Sequence, residues 1–510
     1  MSDESYLSEL THVDAPWDRV HVLVTGLGVS GFAAAQALLR RGARVTVVDK
    51  GTTQPVLTQR AATLARSGAE VRIGPDHVRQ WPTGLGHPID VVLASPGWPP
   101  HSPLMILASQ HGAPIWGDVE LAWRMRPRTG GAPWLCVTGT NGKTTTVLLL
   151  QSMLRAAGLR AVAVGNVGMP IINAVLDPEP YDMLAVELSS FQLHYAHSLS
   201  PLASAVLNLA PDHLDWHGSH EAYASAKASI YERTQVACVY NLQDSATETM
   251  VAHAEVMPGC RAIGFTVGVP DRSMLGLVED LLIDRAFLET RADAALELAT
   301  LADIAPDPGA PPAPHMVSNV LAAAALARAA GVCAEAVRDG VRLFTPAEHR
   351  MTDLGLIAGV RFVNDSKATN PHAAVASLAG YTDVVWIAGG QLKGADVQEV
   401  VAAVAPRLRG AVLLGADRLE IATALARHAP QVRTQQVETP ETEGMDREQR
   451  EQAMDEVMDE AVARAVSLAS PGYVVLLAPA AASLDMFDSY EARGRSFTRA
   501  VRRLREGVAS

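Results

Sequence analysis

The run Val137-Thr138-Gly139-Thr140-Asn141-Gly142-Lys143-Thr144-Thr145-Thr146 constrains this chain more than any other stretch. It follows the apolar segment Trp134-Leu135-Cys136-Val137 and precedes a helical pattern from Val147 to Ala157. A buried strand, a glycine-rich turn and a helix start, in that order, build a phosphate cradle. Successive backbone N–H groups face the anion, and the helix dipole adds to their field. In such a cradle Lys143 reaches the outer phosphates, and the hydroxyl of Thr144 or Thr145 holds Mg²⁺. The longer P-loop pattern has a glycine where this chain has Val137, so what stands is the tighter Gly-x-x-Gly-Lys-Thr. ATP binding through Gly139, Thr140, Asn141, Gly142, Lys143, Thr144 and Thr145 is the expectation.

At 510 residues, with 48% hydrophobic and 19% charged residues, the chain is globular and too long for one core. Three domains are expected. A net charge of -13 argues against nucleic acid, whose phosphates reward a basic face. Cys136, Cys238, Cys260 and Cys333 lack paired metal-type spacing and read as reduced, mostly buried thiols. The acidic start Met1-Ser2-Asp3-Glu4-Ser5 has no signal-peptide pattern, and no apolar run suffices to span a bilayer. A soluble cytoplasmic protein without membrane insertion, acting as a monomer, is expected.

The fold class expected is α/β: Rossmann-like modules at both ends and a P-loop-type parallel sheet between them. Residues 20–24 form a strand, followed by Gly26-Leu27-Gly28-Val29-Ser30-Gly31, a helix from Phe32 to Arg41, and a strand 44–48 ending at Asp49. This is the dinucleotide fingerprint; NAD, a UDP-sugar and plain scaffold use all remain open on it. The strand 89–94 ends at Ser95-Pro96-Gly97, either a ligand-bearing loop at the carboxyl edge of the sheet or a simple turn. The breaker cluster 127–133 marks the first boundary, giving domains at 1–129 and 130–346, with 347–510 following a second boundary near Pro346. Strands are expected at 134–138, 160–164, 183–187, 203–208 and 237–240, then at 361–364, 383–388, 411–414 and 473–477. Residues 305–314 read as a proline-rich loop before an alanine-rich helix, Val317 to Ala330. The acid-rich stretch 438–460 reads as a solvated helix with a mobile lead-in.

Glu187 ends a strand beside the phosphate turn, where a carboxylate serves either as a Mg²⁺ ligand or as a helix N-terminal acid. His213 follows another strand end; an isolated histidine is usually structural, but sharing an edge with Glu187 and Lys143 favours a ligand. Lys227, inside the helical pattern Glu221 to Arg233, looks like a solvated lysine.

Together the phosphate turn, Glu187-Leu188-Ser189-Ser190-Phe191-Gln192-Leu193, Asp212-His213-Leu214-Asp215 and Lys227 resemble the Mur ligase family. Gly26 to Gly31, Ser95-Pro96-Gly97 and Gly117-Asp118-Val119-Glu120-Leu121 match its first domain. His349-Arg350, Asn364 to Asn370, Gly389-Gly390, Lys393 and Ala482 to Asp485 match its last. Asn141 stands where alanine-adding relatives carry His, and the Asp-Asn-Pro-Arg motif of diaminopimelate-adding relatives is absent. The resemblance therefore implies ATP-dependent addition of D-glutamate to UDP-N-acetylmuramoyl-L-alanine, in peptidoglycan precursor synthesis. It implies that Gly28, Ser30, Asp49, Lys50, Ser95 and Gly97 bind the UDP portion, with Asn166, Ser189, Gln192 and His213 nearer the reacting end. Lys143, His213, Lys227, Glu187 and Asn166 are the implied catalytic residues. Thr144, Glu187, His213 and a carbamylated Lys227 are the implied Mg²⁺ ligands. Asn319, Arg350 and Asp365 are implied for ATP, and Lys367, Thr369, Lys393, Ser483, Leu484 and Tyr490 for D-glutamate. Met316 departs from the family's usual Asn. A folylpolyglutamate synthase is the competing amide ligase; the N-terminal glycine fingerprint and the pair Lys393 with Ser483 argue against it.

Overall fold

The computed structural model describes residues 6–51, 55–304, 312–345, 349–440 and 445–509. The boundary at Pro346, most of the proline-rich loop 305–314 and residues 441–444 of the acid-rich stretch lie outside the described residues. Two compact units are present: Met1–Leu209 with His213–Phe344, and Thr345–Ser510 with Ala210–Asp212.

The first unit holds two sheets. Apolar runs buried on both faces make the central strands of the first, which is ordered Glu70–Ile73, Arg44–Asp49, His21–Thr25, Val91–Ala94, Ile115–Gly117 and is parallel throughout; Glu70–Ile73 at its edge is partly exposed. That order is the nucleotide-binding half of a doubly wound fold. Its helix Val29–Arg40, with Gly28 at the N-cap, begins three residues before the expected Phe32.

The second sheet has nine strands, where the sequence announced five. Trp134–Thr138 lies between Met183–Glu187 and Ala203–Val206, all parallel, and Ala161–Gly165 closes that edge. Beyond Ala237–Asn241 and Arg261–Phe265 the sheet continues with Met274–Val278, then turns antiparallel through Leu281–Asp284 and Leu296–Thr300. Because Met183–Glu187 and Ala203–Val206, consecutive strands in sequence, lie on opposite sides of Trp134–Thr138, the chain order reverses there. Its carboxyl end is the crevice where ligands bind in such sheets. The helix Pro314–Ala329 buries Val320 to Ala327 completely or nearly so; its alanines allow close approach to the sheet. A shared core joins the two sheets, with Trp123 set edge-on to Trp134 at 5.0 Å.

The second unit holds a six-stranded sheet ordered Thr352–Ile357, Val360–Asn364, Val474–Leu477, Val384–Gly389, Leu408–Leu414, Arg433–Gln436. Only its first pair is antiparallel. The acid-rich stretch holds the helix expected of it, but that helix is not simply solvated. From Arg447 to Leu468 it is a helix capped by Asp446 and Gln449, and it buries Met454, Val457, Met458 and Ala461 against the sheet. Its acids are spent partly on the terminal helix Tyr490–Ala509, as in Asp455 with Arg499 at 2.7 Å. Among the described residues no helix is long and apolar enough to cross a membrane.

Candidate active site

The glycine-rich turn sits at the carboxyl end of Trp134–Thr138 and leads into the helix Lys143–Ala156. Gly142 has φ +83°, and a Cβ there would overlap the side chain of Asn319, so this position admits glycine alone. Asn319 is therefore packed against the turn from the helix behind it.

The first N–H groups of the turn are committed to protein. Thr140 N–H donates to Asn208 O (3.0 Å) and Asn141 N–H to Asn208 Oδ1 (2.8 Å), while Asn208 Nδ2 donates back to Asn141 O at 3.1 Å. Asn208 thus fixes the turn's shape, a role sequence reasoning missed; its only signal was an Asn at the end of the expected strand 203–208. The Lys143 ammonium donates to Gly139 O and Thr140 O, both at 2.9 Å, and so folds back over the turn. Tyr223 Oη and Thr140 Oγ1 meet at 2.9 Å.

At the helix start, Thr144 Oγ1 donates to Glu187 Oε2 at 2.7 Å, and Asn166 Nδ2 donates to Glu187 Oε1 at 3.0 Å. Three residues proposed from sequence, on three different elements, meet on this one carboxylate. Lys227 corrects the sequence reading. It is 2% exposed, and its ammonium donates to Gly139 O at 2.8 Å while lying 4.8 Å from the Tyr223 ring centroid. A buried lysine aimed at the phosphate turn is no surface residue. His213 caps the helix Leu214–His217 with a left-handed φ of +53°, and its ring packs on Phe191 at 4.7 Å. Next to it His217 has its pKa pushed down to about 4, first by burial and then by the charges of His194, His213 and Lys227.

Ser189 and Gln192 form a capping box at the helix Ser190–His194. Gln192 Nε2 also donates to Asp118 Oδ2 at 3.2 Å, and Asp118 is bonded to the Ser30 side chain as well. Burial outweighs these bonds and raises the Asp118 pKa. Asp118 therefore ties the glycine fingerprint of the first sheet to the Ser189 motif of the second, a link that no single motif announced. Within the fingerprint, Asp49 accepts from Leu27 N–H and Gly51 N–H, both at 2.8 Å, and so braces the turn that contains Gly28. Lys50 is exposed beside it. Ser95 bonds Thr25 through both its N–H and its hydroxyl, which holds the turn through Gly97 against the central strand.

In the second unit, Asp365 follows Val360–Asn364, accepts from Met351 N–H at 3.3 Å and from the Ser377 hydroxyl, and has its pKa raised by burial. Arg350, one residue before Met351, contributes a charge that acts on Asp365 in the opposite sense. The Lys367 ammonium lies 3.9 Å from the Tyr490 ring centroid, so two of the residues assigned to D-glutamate are neighbours. Thr369 follows closely, Lys393 has a left-handed φ of +54°, and Ser483 is buried beside an exposed Leu484. Arg493, unanticipated, is 1% exposed and donates to Ser366 Oγ and to the carbonyls of Ser366, Gly389 and Ala481. Burial lowers its pKa to about 9. It locks together the loops that carry Lys367, Lys393 and Ser483.

Among the described residues, no three His, Cys, Asp or Glu side chains gather into a metal-holding group. The hard oxygen donors that do meet are Thr144 and Glu187, which suit Mg²⁺. Lys227 as an ammonium does not suit a cation; it fits only if modified to an oxygen donor.

Comparison with known proteins bears on the whole chain. Three domain families match: Mur ligase MurD-like, N-terminal domain over residues 20–117; Mur ligase middle domain over 137–327; and Mur ligase, glutamate ligase domain over 349–481. The UDP-N-acetylmuramoylalanine--D-glutamate ligase of Streptomyces coelicolor is 54% identical over 486 residues, 95% of this chain and 98% of that protein. The protein of the same name from Mycobacterium bovis is 46% identical over 500 residues, 94% and 95% of the two chains. Among solved structures, the UDP-N-acetylmuramate-alanine ligase of Thermotoga maritima aligns with a TM-score of 0.54 at 17% identity, covering 95% of this chain and 99% of that one. A pseudomurein peptide ligase type C from Methanothermus fervidus aligns with a TM-score of 0.52 at 15% identity, covering 95% and 100%. These two likenesses concern the fold.

Proposed function

The chain belongs to the Mur ligase family, and from that premise we propose that it joins D-glutamate to UDP-N-acetylmuramoyl-L-alanine, with ATP converted to ADP and phosphate. The observation that carries this reading is the convergence of Lys143, Thr144, Glu187, Asn166 and Lys227 at the point where the second sheet reverses order.

The chemistry runs in two steps. An oxygen of the L-alanyl carboxylate attacks the γ-phosphorus of ATP and ADP leaves, giving an acyl phosphate. The D-glutamate amine then adds to that carbonyl, and the tetrahedral intermediate collapses with loss of phosphate and a proton. Lys143, moving off the Gly139 and Thr140 carbonyls, stabilises the charge that develops on the transferring group. Mg²⁺, when bound through Thr144 and Glu187, supplies further positive charge at those phosphates. Asn166 holds Glu187 in place, and Lys227, once carbamylated, presents oxygen where its ammonium now meets Gly139. Within the first unit Gly139 to Thr145 and Asn319 hold ATP; within the second, Arg350 and Asp365 are the residues that the family resemblance implies for nucleotide. Gly28, Ser30, Asp49, Lys50, Ser95 and Gly97 hold the UDP portion, and Asn166, Ser189, Gln192 and His213 the reacting arm. The two carboxylates of D-glutamate call for cations and fixed donors, which Lys367, Lys393, Thr369, Ser483, the Leu484 backbone and Tyr490 provide. The functional modules are 1–129, 130–346 and 347–510, and the protein acts as a monomer in the cytoplasm.

Phosphate release with UDP-N-acetylmuramoyl-L-alanine, ATP and a panel of D- and L-amino acids tests this. Release that depends on both the UDP substrate and D-glutamate is expected; equal turnover with L-glutamate, or release indifferent to the amino acid, contradicts it.

A further inference from the structure

A second concentration of positive charge lies away from this chemistry. A cavity of about 480 Å³, within the range of small-ligand sites (~300–1,000 Å³), is lined by Thr11, His12, Arg126, Arg128, Gly130 and Gly131 among others. These residues precede the strand Trp134–Thr138, whereas the phosphate turn leaves its opposite end. Five strand residues put roughly 16 Å between the two ends.

Arg126 is half-buried. Its Nε donates to Trp123 O at 2.7 Å and its guanidinium carbon lies 3.0 Å from the Trp123 ring centroid, but no carboxylate pairs with it among the described residues. Burial alone lowers its pKa, to about 10. Arg128 is exposed and likewise has no acidic partner among the described residues. The acid nearest in sequence to His12, Asp14, lies 4.0 Å from Arg41 instead. The Asp14 N–H donates to His12 Nδ1 at 3.2 Å, which places the ring proton on Nε2 as a further donor. The N–H groups of residues 128–131 donate to no protein acceptor among the described residues. A desolvated guanidinium without a counter-charge is costly, and an anion with several oxygens relieves it through paired N–H bonds.

We infer that His12, Arg126, Arg128 and the Gly130-Gly131 turn form a binding site for a phosphate-bearing anion, distinct from the ATP turn. The phosphate could be inorganic or the tail of a nucleotide, and the experiment has an arm for each. Enzyme saturated with a non-hydrolysable ATP analogue and with UDP-N-acetylmuramoyl-L-alanine is titrated calorimetrically with inorganic pyrophosphate and, separately, with GDP. Binding of one equivalent per chain is expected in at least one arm; binding only of pyrophosphate assigns a free anion, and binding of GDP assigns a nucleotide. Arg128→Gln, a surface change, should weaken that binding about tenfold and the pair Arg126→Gln with Arg128→Gln about a hundredfold. Both variants should keep wild-type ligase turnover, which also reports that they fold. Absence of binding in both arms, or undiminished binding by Arg128→Gln enzyme, overturns the assignment.

Discussion

Lys143 carries the most exposed claim at the scale of single residues. Its ammonium rests on two carbonyls of its own turn, 2.9 Å from each, and the proposed function requires it to move from them to phosphate. Lys143→Ala should lower kcat on the order of 10²–10³, as loss of a charge-stabilising donor typically does. Stopped-flow phosphate release measures it, and turnover within a factor of two of wild type refutes the role. His217 makes a different prediction. Its folded pKa of about 4 lies below the 6.5 of an unfolded histidine, so between those values the unfolded chain binds more protons. The stability His217 contributes is complete above pH 6.5 and is lost as pH falls toward 4. Thermal unfolding of His217→Asn enzyme should therefore lose less Tm over that interval than wild type; parallel Tm profiles contradict this. Most of the residues placed at the site were legible because each sits at a strand end or a glycine turn. Lys227 was not: its burial depends on the Gly139 carbonyl turning inward, which no local pattern in the helix His220–Ala228 announces.

Elements announced themselves unevenly, for a physical reason. Strands buried on both faces, such as Trp134–Thr138 and Val384–Gly389, are continuous apolar runs. Edge strands such as Arg433–Gln436 are polar and half in solvent, so neither alternation nor an apolar run marks them. The acid-rich helix Arg447–Leu468 was read by its charge, while its buried stripe of Met454, Val457, Met458 and Ala461 decides its place. Helix packing also steadies the phosphate turn. The helix Lys143–Ala156 is crossed closely by Ala334–Leu343 at Gly340, whose carbonyl accepts from Ser152 Oγ at 2.7 Å. A Cβ on Gly340 would lie 2.6 Å from the Met153 nitrogen. Gly340→Ala should destabilise the protein by about 1–3 kcal/mol, the usual cost of overpacking. A urea midpoint unchanged from wild type would show that the crossing has slack.

For the molecule as a whole, charge frames the problem. A chain of net charge -13 must gather ATP, a UDP-linked carboxylate and glutamate, all of them anions. Local cations have to overcome that background, and those proposed are Lys143 in the first unit and Arg350, Lys367 and Lys393 in the second. The sheet reversal places Lys143, Thr144, Glu187 and Lys227 around one turn, and the function follows if that turn delivers a phosphoryl group to a carboxylate. The direct test is to label both carboxylate oxygens of UDP-N-acetylmuramoyl-L-alanine with oxygen-18 and turn the enzyme over with ATP and D-glutamate. An acyl phosphate requires one labelled oxygen to leave in the phosphate and the other to remain in the new amide. Unlabelled phosphate formed alongside amide product would show that the carboxylate was never phosphorylated.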